Sequence, residues 1–140
     1  GNAWEEGLLS ITDEHSFSRW FLGYLGQYQI ASEKMPAVLV ASFPEDEHEL
    51  GAFMHNLVLK SYAISTRYIG MVERAHLLDE VRKTPYKSVH LSIVMPQTTK
   101  AITKIRNDLR SARATTKVLF GGCGYRKLRR REALREKEKK

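Results

Sequence analysis

A histidine flanked by a carboxylate and a glycine is the group in this sequence best suited to chemistry. The residues are Asp46, His48 and Gly51, in the stretch DEHELG. A histidine in this position can face a ligand with one ring nitrogen while the Asp46 carboxylate accepts a hydrogen bond from the other. That arrangement fixes the tautomer and raises the basicity of a metal-binding imidazole. Gly51 lets the backbone come close to whatever lies beside the histidine. The stretch is therefore a candidate metal-ligating loop.

Two shorter motifs supply groups suited to contacting a bulky ligand. Ser92 and Val94 are two residues apart, so in a strand they place a hydroxyl and an apolar wall on the same face. Gly121 and Gly122 lack Cβ atoms, and two such residues in succession permit close approach of a ligand. Each motif is weak alone, and their value depends on whether the fold brings them together.

The apolar pattern predicts alternating strands and helices that would do so. Strands are predicted over 37–43, 63–69, 89–94 and 117–120, and helices over 13–28, 51–61, 75–83, 98–113 and 125–140. Strands separated by helices of this length indicate right-handed crossovers and a parallel sheet. The predicted fold is α/β, a Rossmann-like (flavodoxin-like) parallel sheet of four to five strands. Ligands bind beyond the carboxyl ends of such strands, where all three motifs lie.

The order and spacing of the three motifs resemble those of a known cofactor-binding family. The cobalamin-binding domains of methionine synthase, the cobalamin-dependent mutases and the light-sensing repressors of the CarH type carry Asp-x-His-x-x-Gly, then Ser-x-Leu, then Gly-Gly. Here 40 residues separate Gly51 from Ser92, and 26 separate Val94 from Gly121, which is close to the family spacing. Val94 replaces the usual leucine, a conservative departure.

The resemblance implies base-off, histidine-on binding of cobalamin, in which the lower nucleotide base leaves the cobalt and enters the space between sheet and helices. His48 would replace that base as the metal ligand. Ser92 would contact the base, and Gly121 and Gly122 would flank the tail. The cofactor-binding residues implied in this part of the chain are Asp46, His48, Gly51, Ser92, Val94, Gly121 and Gly122.

The N-terminal residues carry a second resemblance. Trp4 is followed, after nine residues, by Glu14 and His15, which is similar to the Trp-x9-Glu-His signature of the CarH-type proteins. There the signature belongs to a helical cap over the upper face of adenosylcobalamin. By that resemblance Trp4 would pack on the corrin side, and Glu14 and His15 would reach the adenosyl group. An ordinary amphipathic helix with Glu and His in its first turn is the alternative.

The resemblances suggest a division of the chain into three segments. Residues 1–30 are predicted to be a partial helical cap, 35–124 the cobalamin-binding Rossmann-like domain and 125–140 a basic C-terminal helix. Family caps are four-helix bundles, whereas Trp4 lies three residues from the first residue of this sequence. The sequence is therefore expected to be either a fragment or a short form whose cap is completed by a homo-oligomer or a partner protein.

The composition of the sequence limits the cellular compartments and the classes of partner that are expected for this protein. No apolar run approaches the roughly 20 residues that span a bilayer, so no membrane partner is expected. No secretory signal is visible, and the single cysteine, Cys123, fits a reducing cytoplasm. Most of the net charge of +7 lies from Gly124 onward, where nine Lys/Arg stand against three Glu. This basic tail is either a solvated helix end or a contact for nucleic acid or another anionic surface.

These features predict a cobalamin-binding sensory or regulatory domain. It would be an adenosylcobalamin-dependent photoreceptor of the kind used in transcriptional regulation, rather than an enzyme. No general acid, base or second-substrate site stands out, so the enzyme alternative is a corrinoid-carrying subunit of a methyltransferase or mutase. A further alternative is another tetrapyrrole, such as haem or bilin, or an interaction module. His55, His76 and His90 show no metal-ligand spacing and are expected to be ordinary core or surface residues.

Overall fold

Helix α1 (Ile11–Gly26) belongs to the first of two compact units, Gly1–Ala31 and Ser32–Lys140. The computed structural model describes residues 6–7, 10–27 and 35–138. The hydroxyl of Ser10 accepts a hydrogen bond from the Asp13 amide at 3.1 Å, and the Asp13 carboxylate accepts one from the Ser10 amide at 3.4 Å. This capping box satisfies two amides at the helix start, so α1 begins two residues before the predicted position.

The second unit alternates strands and helices around a four-stranded parallel sheet. Its strands are β1 (Val38–Ser42), β2 (Thr66–Gly70), β3 (Ser88–Ser92) and β4 (Lys117–Gly121). Its helices are α2 (Leu50–Ser61), α3 (Arg74–Lys83), α4 (Thr99–Ala112) and α5 (Cys123–Glu138). The strand order is β2-β1-β3-β4, with every pairing parallel. The predicted α/β fold with a flavodoxin-like parallel sheet is confirmed, with four strands.

One face of the sheet carries the main core. Alternate residues of β1 and β3 point to this face because side chains in a strand alternate with a period of two. They pack against the apolar faces of α3 and α4, and all of them are less than 7% exposed. The cluster includes Leu39, Ala41, Val89, Leu91 and Ile93 from the strands and loops, and Leu77, Val81, Ile102, Ile105 and Leu109 from the helices.

The opposite face of the sheet is apolar at β1 and polar at β3. On β1, Val38 and Val40 pack beneath Ala52 of α2. The in-register residues of β3 are polar, with His90 beside Val40 and Ser92 beside Ser42 at the carboxyl end. Helix α2 packs mainly on β1 and β2, and Leu119 of β4 is 52% exposed. The sheet surface next to α2 therefore forms one side of a groove.

Helix α5 carries the basic tail. It begins at Cys123, two residues before the predicted start, directly after the end of β4. Glu132 accepts a hydrogen bond from the Thr99 hydroxyl at 2.6 Å, which ties α5 to α4, and pairs with Arg129 at 2.8 Å. Contact of this helix with nucleic acid stays a prediction. Across the ranges the structure describes, no helix combines the length and apolarity needed to cross a membrane.

Candidate functional site

The Asp46 carboxylate is the buried anchor of the candidate site, with 2% of the residue exposed. One oxygen, Oδ2, accepts hydrogen bonds from the amides of Val94 at 2.8 Å and Met95 at 3.0 Å. The other, Oδ1, accepts hydrogen bonds from the His48 amide at 3.2 Å and from His48 Nδ1 at 2.9 Å. Asp46 thus joins the loop after β1 to the loop after β3, and Val94 takes part through its amide.

The His48 imidazole is held in one orientation and one tautomer. Its side chain is 33% exposed, so the ring is neither buried in the core nor directed wholly into solvent. A carboxylate can only accept, so Nδ1 carries the ring proton and Nε2 of the neutral ring carries the lone pair that can coordinate a metal. The buried Ser42 hydroxyl donates to the His48 carbonyl at 3.2 Å and holds the backbone of the loop. Ser42 was not among the residues predicted from the sequence.

A groove of about 300 Å³ lies between α2 and the open face of β3 and β4. That volume is at the lower end of the roughly 300–1,000 Å³ typical of small-molecule sites. Its lining residues are Val40, Gly51, His55, His90, Leu91, Ser92, Leu119, Phe120, Gly121 and Gly122. Four of the predicted cofactor-binding residues are among them. Asp46 and His48 do not line the groove; they lie in the loop that leads into α2, just before Gly51.

The two adjacent glycines have different physical roles. Gly122 has φ +96°, and a Cβ added there would lie 2.3 Å from the carbonyl oxygen of Ile93, so the packing of the chain itself requires glycine. A Cβ added to Gly121 would meet nothing within 4 Å and would extend into open space. Gly121 is the glycine whose missing side chain leaves room in the groove.

Gly51 and Ser92 bring α2 close to β3 at the carboxyl end of the sheet. A Cβ on Gly51 would lie 3.1 Å from Ser92 Oγ, so a larger residue at the first turn of α2 would press on the serine. The Ser92 hydroxyl forms no hydrogen bond to any residue in the described part of the chain. It therefore offers a donor and an acceptor to a ligand in the groove.

Two histidines that the sequence analysis treated as ordinary also line the groove. His55 of α2 and His90 of β3 are joined by a hydrogen bond of 2.8 Å between His55 Nε2 and His90 Nδ1. The spacing of these two histidines from Gly51 and Ser92 in the sequence could have indicated that they line the groove. His55 lies four residues after Gly51, on the same helix face, and His90 lies two residues before Ser92, on the same strand face.

The N-terminal candidates belong to the first compact unit. His15 Nε2 lies 3.5 Å from a carboxylate oxygen of Glu14, and the other carboxylate oxygen accepts a hydrogen bond from the Ser18 hydroxyl at 2.9 Å. Trp4 lies outside the described residues. The roles of Trp4, Glu14 and His15 in a cap stay predictions.

The metal-binding chemistry of the candidate site rests on one imidazole. Within residues 6–7, 10–27 and 35–138 there is no group of three or more His, Cys, Asp or Glu that could hold a metal ion. A single imidazole such as that of His48 can supply one ligand to a metal whose other ligands come from elsewhere. Comparison of the sequence with protein-family models and with curated proteins finds no match.

Proposed function

We propose that this chain is a cobalamin-binding sensory or regulatory domain in which His48 is the lower axial ligand of the cobalt. The observation that supports this most is the Asp46–His48 pair at the carboxyl end of β1, where a buried carboxylate holds Nδ1 at 2.9 Å. This geometry leaves the coordinating lone pair on Nε2 and restricts rotation of the ring. The pair lies immediately before the glycine that begins the wall of the groove.

The groove suits the lower tail of a corrinoid in size and chemistry. Its walls include the apolar residues Val40 and Leu119, against which a flat aromatic base can pack. Ser92 provides a hydroxyl at the wall that the base would contact. Gly121 leaves a space that any side chain would reduce. In this proposal Gly122 lines the tail with its backbone, and its lack of a side chain serves the fold.

The resemblance gives the upper face of the cofactor to residues of the N-terminal segment. Trp4, Glu14 and His15 would contact the adenosyl group, as the resemblance implies. The aromatic residues of α1 support a covering role, because Phe17, Trp20 and Tyr24 are 57%, 64% and 43% exposed within a helix that has no buried residue. Exposed aromatic residues on one helix are typical of a surface that contacts another molecule. In this proposal the exposed aromatic residues would contact a second copy of the chain or a partner protein.

The proposed output is a change in assembly when the upper ligand is lost. When bound, adenosylcobalamin supplies a cobalt–carbon bond that light can break. The protein would contribute His48 as a ligand to the cobalt, and Glu14 and His15 as contacts to the adenosyl group. Loss of the adenosyl group would remove those contacts, which would shift the equilibrium between two arrangements of the protein.

Reconstitution of the full chain with adenosylcobalamin in the dark, followed by brief green illumination, tests this function. We expect illumination to change the absorption spectrum irreversibly and to change the molar mass measured by light scattering. A parallel sample loaded with hydroxocobalamin, which lacks the cobalt–carbon bond, controls for heating and general photochemistry. The photoreceptor proposal is wrong if the adenosylcobalamin sample keeps both its spectrum and its mass under light.

A further inference from the structure

The histidines of the groove form a hydrogen-bonded chain that continues into the sheet. His55 Nε2 lies 2.8 Å from His90 Nδ1, and His90 Nε2 lies 3.0 Å from Ser88 Oγ. Ser88 is buried, His90 is half-buried and His55 is exposed at the groove surface. The chain therefore runs from the interior of the sheet to the space where a ligand would lie.

Burial favours the neutral form of both imidazoles. Burial, and then the nearby His55, lower the pKa of His90 to about 4. Burial also lowers the pKa of His55. A neutral imidazole carries one donor and one acceptor nitrogen, so each hydrogen bond of the chain has a definite direction.

The direction of the hydrogen bonds that join Ser88, His90 and His55 is reversible. If Ser88 donates to His90, then His90 donates to His55 Nε2, and the ring proton of His55 lies on Nδ1. If instead His55 donates to His90, then His90 donates to Ser88, and Nδ1 of His55 is an acceptor. The chain can therefore present either a donor or an acceptor to a ligand with no change of net charge.

We propose that His55, oriented by its hydrogen bond to His90, reads the free ring nitrogen of the lower base of the bound corrinoid, and so selects corrinoids by the identity of that base. This inference rests on the proposed function and adds a specificity determinant to it. An apolar wall with one reversible donor–acceptor group suits a planar nitrogen heterocycle, because the ring packs while its nitrogen finds a partner of either polarity.

The lining of the groove argues against other occupants of this space. No Lys or Arg is among the residues that line it, so the part of a ligand that lies inside the groove is expected to be uncharged. Two imidazoles alone do not make a closed metal site, which takes about four ligands. A neutral heteroaromatic ring is the chemistry that remains well matched to the histidine chain.

The test compares binding of adenosylcobalamin with that of adenosylcobinamide, which has no lower base. The variant His55→Leu alters an exposed helix position and is expected to fold, and His55→Gln restores a donor and an acceptor. We expect His55→Leu to weaken binding of adenosylcobalamin about 10-fold, as loss of one ligand hydrogen bond would, and to leave binding of adenosylcobinamide unchanged. His55→Gln should recover part of the loss. His76→Leu, a change at an exposed histidine of α3, should match the unsubstituted protein for both ligands.

Two other results would overturn the inference. Equal weakening of both ligands by His55→Leu would mean that the histidine acts on the fold of the groove and does not read the base. Unchanged binding of both ligands by His55→Leu would mean that the hydrogen-bonded histidines do not contact the base. If the unsubstituted protein binds neither ligand, the proposed function itself is wrong, which is distinguishable from failure of base reading alone.

Discussion

Replacing Asp46 with asparagine is expected to lower the free energy of unfolding by about 2–3 kcal/mol and to weaken cobalamin binding roughly 10–100-fold. The Asp46 carboxylate accepts four hydrogen bonds, two on each oxygen. An amide has one oxygen, so its NH₂ group must face N–H donors on one side. The least costly orientation turns the NH₂ toward His48 and makes Nδ1 the acceptor. The ring proton then moves to Nε2, the atom that has to coordinate cobalt.

Asp79→Asn is the matched control, because Asp79 lies on the surface of α3, where its carboxylate pairs with the exposed Lys83. Chemical denaturation gives the stability of each variant, and titration with the cofactor followed by absorption gives the affinity. The Asp79 variant should resemble the unsubstituted protein in both. Unaltered cofactor affinity in a folded Asp46→Asn protein would contradict the role given to the Asp46–His48 pair.

Gly122→Ala is expected to cause the largest loss of stability from a single methyl group, about 3 kcal/mol. The added Cβ would lie 2.3 Å from the Ile93 carbonyl oxygen and 2.9 Å from its carbonyl carbon and its nitrogen, and the backbone has φ +96°. The contact is with the backbone and not with a flexible side chain, so relief requires the junction between β4 and α5 to move away from the end of β3.

Gly121→Ala provides the comparison at the next residue. Its Cβ would meet nothing within 4 Å, so its stability should stay within about 0.5 kcal/mol of the unsubstituted protein. Thermal and denaturant unfolding of both variants measures the difference. Equal stability of the two variants would show that the close approach at Gly122 can relax without cost.

The sequence alone was enough for the fold because its elements are strongly patterned. The continuous apolar run around Leu39 and Val40 is typical of a strand buried on both faces, and both residues are at most 1% exposed. Helices between the strands then required parallel pairing. The observed ends of the helices and strands differ from the predicted ends by up to three residues. At α1 they differ because the Ser10–Asp13 capping box starts the helix ahead of the predicted first residue, 13.

The candidate site was only partly accessible to the same reasoning. The pairing of Asp46 with His48 follows from their local spacing, and it has the expected geometry. That the Asp46 carboxylate also accepts hydrogen bonds from Val94 and Met95 does not follow from local spacing, because these residues are 48 and 49 positions away in the sequence. His55 and His90 are 35 residues apart, and only the packing of α2 on the sheet brings them into contact. The distinct roles of Gly121 and Gly122 likewise depend on the position of the Ile93 backbone.

The identity of the nitrogen below the cobalt is the most direct measure of the proposed ligation. Protein labelled with nitrogen-15 histidine would be loaded with cobalamin, reduced to the cobalt(II) form and examined by electron paramagnetic resonance. Each cobalt line is split by the nucleus of the axial nitrogen, into a doublet by nitrogen-15 and into a triplet by ordinary nitrogen. We expect a doublet in the labelled protein and its loss in His48→Ala. A triplet in the labelled protein would mean that the lower base of the cofactor still holds the cobalt and that His48 does not.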